Sequence, residues 1–212
     1  MIYEMRTYDL KPHSVAEVER RFGDAYEHRK KYSPLAAFWH TEIGPLNQVI
    51  HVWPYRDLEE RGRIRAEAAK DRNWPPKIRE FIVGQHSDIM IPLSFSPELK
   101  AGKMGTYFEM RIYTYAPGEQ PKVEKLYEKT LPVRIKFSPL CAAWFSELGG
   151  LNHFVHIWPY KSIDERSEAR MRAKATGMWP PSVVAKKEGL PLNELVKQEN
   201  KILMPSTFSP LQ

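Results

Sequence analysis

Asn47-Gln48-Val49-Ile50-His51-Val52-Trp53-Pro54-Tyr55 returns later in the chain as Asn152-His153-Phe154-Val155-His156-Ile157-Trp158-Pro159-Tyr160, and this recurrence decides the architecture. Both stretches are rich in β-branched and aromatic residues and read as strands. Position 152 against position 47 is an offset of 105. Working outward, the same offset carries Ser33-Pro34-Leu35 onto Ser138-Pro139-Leu140 and Glu4-Met5-Arg6-Thr7-Tyr8 onto Glu109-Met110-Arg111-Ile112-Tyr113. It also carries Trp74-Pro75-Pro76 onto Trp179-Pro180-Pro181. Across positions 4–76, 29 of 73 aligned pairs are identical without a gap, which marks a tandem duplication rather than a shared composition.

Near the end of each copy the offset changes. Pro92-Leu93-Ser94-Phe95-Ser96-Pro97 matches Pro205-Ser206-Thr207-Phe208-Ser209-Pro210, an offset of 113, so the second copy carries eight extra residues (113 − 105). Glu188-Gly189-Leu190-Pro191-Leu192-Asn193 is the natural place for them. The copies span 1–98 and 106–212, with a turn-like linker around Pro97-Glu98-Leu99-Lys100-Ala101-Gly102. Two copies are too few for a solenoid and point to a duplicated homodimer, a pseudo-symmetric pair within one chain.

Within one copy the elements follow from periodicity. Ile2–Tyr8 alternates as a strand. Ser14–Lys31 places Val15, Val18, Phe22 and Tyr26 at helical spacing, with Ser14 as a candidate N-cap. Leu35–Ile43 and Leu46–Trp53 are two strands, and Asp57–Arg72 is a second helix. A short helical turn over Lys77–Val83 and a fourth strand over Ser87–Ile91 complete the copy. The order β-α-β-β-α-β is ferredoxin-like. The fold class is α+β: two tandem ferredoxin-like repeats that bury their open sheet faces on each other in an intramolecular dimeric α+β barrel.

Gly44-Pro45 and Gly149-Gly150 suit two-residue type II′ turns, which pairs Ile43 with Leu46 and Glu42 with Asn47. One side of the hairpin then collects Ile43, Leu46, Trp39, Ile50, Ala37 and Val52, and is expected to pack on the helices. The other side collects Glu42, Asn47, His40, Val49, Phe38, His51, Ala36 and Trp53. This mixed side is expected to face the other copy. Glu4, Arg6 and Tyr8 share a side of the first strand, and Arg6 is expected to lie beside Asn47 and His51, as Arg111 beside Asn152 and His156.

The candidate site is therefore Glu4, Arg6, Tyr8, Glu42, Asn47, His51 and Trp53, repeated as Glu109, Arg111, Tyr113, Glu147, Asn152, His156 and Trp158. All seven are identical in both copies. His51 and His156 are the candidate general bases, with Glu42 or Glu4 to orient the first of them. Arg6 and Arg111 offer a fork of donors to an anion. Trp53, Tyr8 and their copies offer aromatic walls. Each also has a structural explanation: a hydrogen-bonded core histidine, an internal ion pair, a packed barrel. His153 and His156 point to opposite faces of a strand, and no HxH or HExxH pattern is present, so no metal and no cofactor are expected. Haem lacks a marked axial ligand. Cys141 stands where the first copy has Ala36, which argues against a shared thiol mechanism.

The chain has 212 residues, 42% hydrophobic and 27% charged, within the range of soluble globular proteins. No run of 18 apolar residues exists, so no membrane span is expected. Met1-Ile2-Tyr3 leads straight into a strand, and with a single cysteine the expectation is a reducing, cytoplasmic setting. The net charge is +6, yet bases and acids interleave, as in Asp57-Leu58-Glu59-Glu60-Arg61 and Asp164-Glu165-Arg166. They read as solvated helix faces, and nucleic-acid binding is not expected.

Glu-Met-Arg-x-Tyr, Asn-x-x-x-His-x-Trp-Pro-Tyr and Trp-Pro-Pro, at Glu4–Tyr8, Asn47–Tyr55 and Trp74–Pro76 and again at Glu109–Tyr113, Asn152–Tyr160 and Trp179–Pro181, resemble the NIPSNAP family. The resemblance covers both copies and implies the dimeric α+β barrel fold. That superfamily includes cofactor-independent monooxygenases, haem-binding enzymes and isomerases, but fold alone does not assign an activity. Two readings stay open. In one, a small, partly apolar anion sits between the two sheets, held by Arg6 or Arg111, with proton-transfer or cofactor-free oxidative chemistry at His51 or His156. In the other, the chain is a non-enzymatic scaffold acting through the basic helices Asp57–Arg72 and Ser162–Lys174 or the segment Glu188–Asn193. Exposed strand edges would let the tandem unit pair again as a homodimer.

Overall fold

The computed structural model describes all 212 residues. The first copy runs β1 (Ile2–Leu10), α1 (Val15–Arg29), β2 (Ala37–Ile43), β3 (Gln48–Tyr55), α2 (Leu58–Ala68) and β4 (Ile82–Pro92), with a 3₁₀ turn at Arg79–Phe81 before β4. The second runs β5 (Tyr107–Tyr115), α3 (Gln120–Arg134), β6 (Ala142–Leu148), β7 (His153–Tyr160), α4 (Ile163–Ala175), α5 (Pro181–Lys187) and β8 (Leu195–Pro205). The extra length of the second copy is taken up by α5 and the connection that follows it to β8, where the first copy has only the 3₁₀ turn. Ser14 occupies the N-cap position of α1, but its hydroxyl donates back to the Lys11 carbonyl rather than capping the helix. Asp57 and Ser162 do cap, accepting from the amides of Glu60 and Glu165.

Each copy is an antiparallel four-stranded sheet with the ferredoxin-like order β4-β1-β3-β2. The sheets join edge to edge, β2 with β8 and β4 with β6, into one closed barrel of eight strands. Closure leaves no free edge, so edge pairing with a further copy has no template here. No helix is long and apolar enough to cross a membrane.

The register is the expected one: Ala37 pairs with Val52, Phe38 with His51, Trp39 with Ile50 and His40 with Val49. The turn differs. The strands part after Thr41–Ile43, and residues 44–47 bend as a four-residue connection, with Gly44 at φ +124° and Asn47 at φ +57°. Gly149 and Asn152 repeat these values at +100° and +57°. Asparagine tolerates the left-handed region, so the turn alone accounts for Asn47 and Asn152 recurring.

The faces are reversed from the sequence expectation. Trp39, Ile50, Val52, Tyr3 and Met5 point into the barrel, where they meet Phe108, Met110, Trp144, Val155 and Ile157 of the second copy in one core. Tyr3 stacks on Trp144 at 4.9 Å between ring centroids. The space between the two sheets, where a ligand was expected, is filled by these side chains. Glu4, Arg6, Tyr8, Phe38, His40, His51 and Trp53 lie on the outer face, under the helices: Phe22 of α1 packs on Phe38 at 4.6 Å, and Glu19 of α1 bonds His40 at 2.8 Å.

The copies also exchange their C-terminal clasps. Ser209 accepts a hydrogen bond from the Phe38 amide at 2.9 Å, and Phe208 packs on Phe38 at 4.8 Å. Reciprocally, Ser96 accepts from the Ala143 amide at 2.9 Å, and Phe95 stacks on Tyr127 at 6.4 Å. The repeated Phe-Ser-Pro motif thus completes the opposite copy.

Candidate functional site

The site begins with alternation along β1. Glu4, Arg6 and Tyr8 emerge on one face, and Arg6 stands directly across from His51 of β3. Arg6 donates from Nη1 to Glu4 Oε1 at 2.8 Å and from Nε to the Tyr8 hydroxyl at 3.0 Å. α2 lies over this face and brings Arg61 and Arg65, four residues apart, onto the same carboxylate at 2.7 and 3.5 Å. Ser87 of β4 adds a hydrogen bond at 2.8 Å. Burial by itself would raise the Glu4 carboxyl, but Arg61, Arg65 and Arg6 outweigh it and hold it down to about 2. The second copy repeats the cluster. Glu109 takes Arg111 at 2.9 Å, Arg166 at 2.6 Å and Arg170 at 3.6 Å, and these arginines hold its carboxyl low against the effect of burial.

His51 is buried, and its Nδ1 accepts the indole N–H of Trp53 at 2.6 Å. His156 accepts from Trp158 at 2.7 Å. Desolvation, reinforced by Arg6, pushes His51 down to about 3. His156 is driven well below its ordinary value by the same cause, with Arg111 and Arg134 adding to it. A neutral ring whose Nδ1 accepts must carry its proton on Nε2. Both Nε2 atoms are buried without a protein partner. With Nδ1 occupied, each ring presents Nε2 as its unpaired atom, and tryptophan rather than Glu42 or Glu4 is the side chain that bonds the histidine.

Glu42 and Glu147 stay out of the cluster: both are exposed at the ends of β2 and β6. Asn47 and Asn152 act through their backbone, their carbonyls accepting from Leu10 at 2.8 Å and Tyr115 at 3.1 Å. The structure brings together Glu4, Arg6, Tyr8, His51 and Trp53, and likewise Glu109, Arg111, Tyr113, His156 and Trp158. No group of three metal-ligating side chains stands together.

Sequence reasoning missed the arginines. Arg61, Arg65, Arg166 and Arg170 read as solvated helix charge, yet they turn to the sheet. Arg29, the last residue of α1, is only 2% exposed and lies over Trp53 at 4.5 Å from the ring centroid, with Trp74 at 5.8 Å. It donates to Ser33 and to the Tyr55 hydroxyl and has no carboxylate partner. Arg134 repeats this, also 2% exposed, at 4.2 Å from Trp158 and 5.9 Å from Trp179. It bonds Tyr160 at 2.7 Å and leaves Nη1 buried and unpartnered. One signal could have found them: each of these arginines is identical at the 105-residue offset.

These groups line two cavities between sheet and helices, each beside a Trp-Pro-Pro segment. The first, about 300 Å³, is lined by Arg6, Arg29, Arg65, His51, Trp53 and Trp74 among others. The second, about 420 Å³, is lined by Arg111, Arg134, Arg170, His156, Trp158 and Trp179 among others. Each holds three arginines over one ion-paired carboxylate, an excess of positive charge walled by indoles.

Comparison with known proteins agrees with this architecture. The human protein NipSnap homolog 3A is 29% identical over 100% of this chain and 86% of its own length. Protein NipSnap of Drosophila melanogaster is 25% identical over 100% and 79%. A solved Fusobacterium nucleatum structure, provisionally described as a monooxygenase, shares the fold with a TM-score of 0.65 at 11% identity, over 97% of this chain and 92% of that one. The NIPSNAP family model matches twice, at residues 3–97 and 108–210. The chain belongs to the NIPSNAP family, with two copies of its domain closed into one barrel.

Proposed function

We propose that the protein binds a small, partly apolar anion in each of its two cavities between sheet and helices, with His51 and His156 acting there as neutral hydrogen-bond donors. The observation that carries this reading is the buried arginine in each cavity, Arg29 and Arg134, which has no carboxylate partner. A desolvated guanidinium is costly unless a counter-charge arrives, and a bound anion would supply it. The indoles of Trp53 and Trp74, or Trp158 and Trp179, would cover the apolar part of the ligand.

An Nε2–H donor stabilises negative charge developing on a carbonyl oxygen. Beside Arg6 or Arg111, that suits enolate-like intermediates of proton transfer or cofactor-free oxidation, with the abstracted proton taken by a group other than the histidine.

Native mass spectrometry of the purified full chain tests this. Mass lost on denaturation, and absent from a folded Arg29→Met/Arg134→Met variant, is the expected result. If neither the purified protein nor the protein titrated with carboxylate probes such as benzoate binds an anion at these cavities, the reading fails. The protein would then be a scaffold acting through its surface.

A further inference from the structure

The two cavities differ where the copies differ. In the second, Tyr115 ends β5 and Tyr127 sits on α3; both line the cavity and are at most 7% exposed. Neither hydroxyl has a hydrogen-bond partner in the protein, and burial, first of all, keeps both phenols protonated by raising them above their ordinary value. Their rings crowd the donor cluster: Tyr127 lies 5.6 Å from His156, and Tyr115 lies 6.4 Å from Tyr113, whose hydroxyl Arg111 holds at 2.7 Å. At the same positions the first copy has Leu10 and Phe22, which carry no hydroxyl.

The connection before the last strand differs as well. In the first copy the 3₁₀ turn places Phe81 beneath Arg21 at 5.0 Å, and Arg21 is itself paired with Glu17 and Glu80. In the second copy, the eight-residue insertion ends in Leu192 and Asn193, which line the cavity. Glu119, just before α3, ties that strap down by accepting from Asn193 Nδ2 at 3.1 Å and the Glu194 amide at 3.2 Å.

We infer that the second cavity selects a hydroxy- or oxo-carboxylate, recognising its second polar group through the hydroxyls of Tyr115 and Tyr127, whereas the first takes a carboxylate without one. This rests on the anion-binding reading above. A phenol that faces the cavity without a protein partner gives up its water when a ligand enters and regains a bond only from a ligand that offers a donor or acceptor. A hydroxyl on the ligand therefore favours the second cavity, since the first has no phenol at these places and neither Leu10 nor Phe22 reaches its lining.

Calorimetric titration of the full chain with benzoate and with 4-hydroxybenzoate tests this. The expected result is that 4-hydroxybenzoate binds one site at least ~10-fold tighter than benzoate, a gap of about 1.4 kcal/mol. That site should survive Arg29→Met and vanish in Arg134→Met. Tyr115→Phe and Tyr127→Phe should remove the preference for 4-hydroxybenzoate over benzoate at that site. ¹⁹F NMR of 5-fluorotryptophan-labelled protein gives the assignment without the arginine variants, since the Trp179 signal rather than that of Trp74 should shift at the lower 4-hydroxybenzoate concentration. Equal preference at both sites, or a preference that survives both phenylalanine substitutions, overturns the inference alone. Absence of saturable binding by either probe overturns the anion-binding reading with it.

Discussion

The indole N–H of Trp53 donates to Nδ1 of His51 at 2.6 Å, and the same bond joins Trp158 to His156 at 2.7 Å. Two residues apart on one face of a strand, each pair locks a neutral imidazole with its remaining proton on Nε2. Trp53→Phe removes that donor and leaves Nδ1 buried and unpaired. The cost should be about 1–3 kcal/mol by denaturant unfolding. The ¹⁵N chemical shifts should show the Nε2–H tautomer of His51 in the parent protein and a mixture in the variant; a pure Nε2–H signal in both would show that the indole does not set the tautomer.

Acid should unfold the protein in two stages. His51 is lowered to about 3 when folded, so the unfolded state binds its proton first and stability falls as pH drops below about 6.5. His156 shifts in the same direction. Each should approach a loss of ~1.4 kcal/mol per pH unit. Glu4, held at about 2 when folded, adds a second loss below its unfolded value as pH falls toward 2. Thermal melts from pH 8 to 3 check this. Replacing both histidines by glutamine should flatten the stage between pH 6.5 and 5.

Three arginines share the Glu4 carboxylate, as three share Glu109. Glu4→Gln should cost about 1–3 kcal/mol, less than a fully buried pair would, because Arg61 and Arg65 keep contact with water. Added sulfate should raise the melting temperature of the variant more than that of the parent. An equal rise in both would mean that the arginines do not need a counter-charge.

The clasps cross between copies, so their loss should be felt across the pseudo-symmetry axis. Ser209→Ala strands the Phe38 amide and Ser96→Ala strands that of Ala143. Each should cost about 1–3 kcal/mol. Hydrogen exchange should speed up at Phe38 in the first variant and at Ala143 in the second; acceleration confined to the clasp's own copy would contradict the crossed arrangement.

Expressed alone, residues 1–98 leave the outer edges of β2 and β4 unpaired, since their partners β8 and β6 belong to the second copy. Two such fragments can pair β2 of one with β4 of the other, as the duplicated strands do within the chain. Native mass spectrometry should find a dimer. A folded monomer would show that closure does not need both edges.

The sequence by itself determined the duplication, the element order, the hairpin register and the family. These follow from local periodicity and from residues repeated at one offset, and they need no knowledge of how sheets meet helices. It could not decide which side of the sheet lies inside. Alternation along β1 and β3 separates Tyr3 and Met5 from Glu4 and Arg6, and Ile50 from His51, but it is symmetric between the two faces. The tertiary structure breaks that symmetry because a closed eight-stranded barrel has room for large apolar side chains and no access to water or counter-charge. Glu4 therefore lies on the face where α2 can deliver Arg61 and Arg65. Only the docking of the helices reveals this, since an arginine on a helix and a glutamate on a strand more than fifty positions away carry no periodic relation. The cavities around Arg29 and Arg134 belong to that docking, and so does the neutral state of the two histidines.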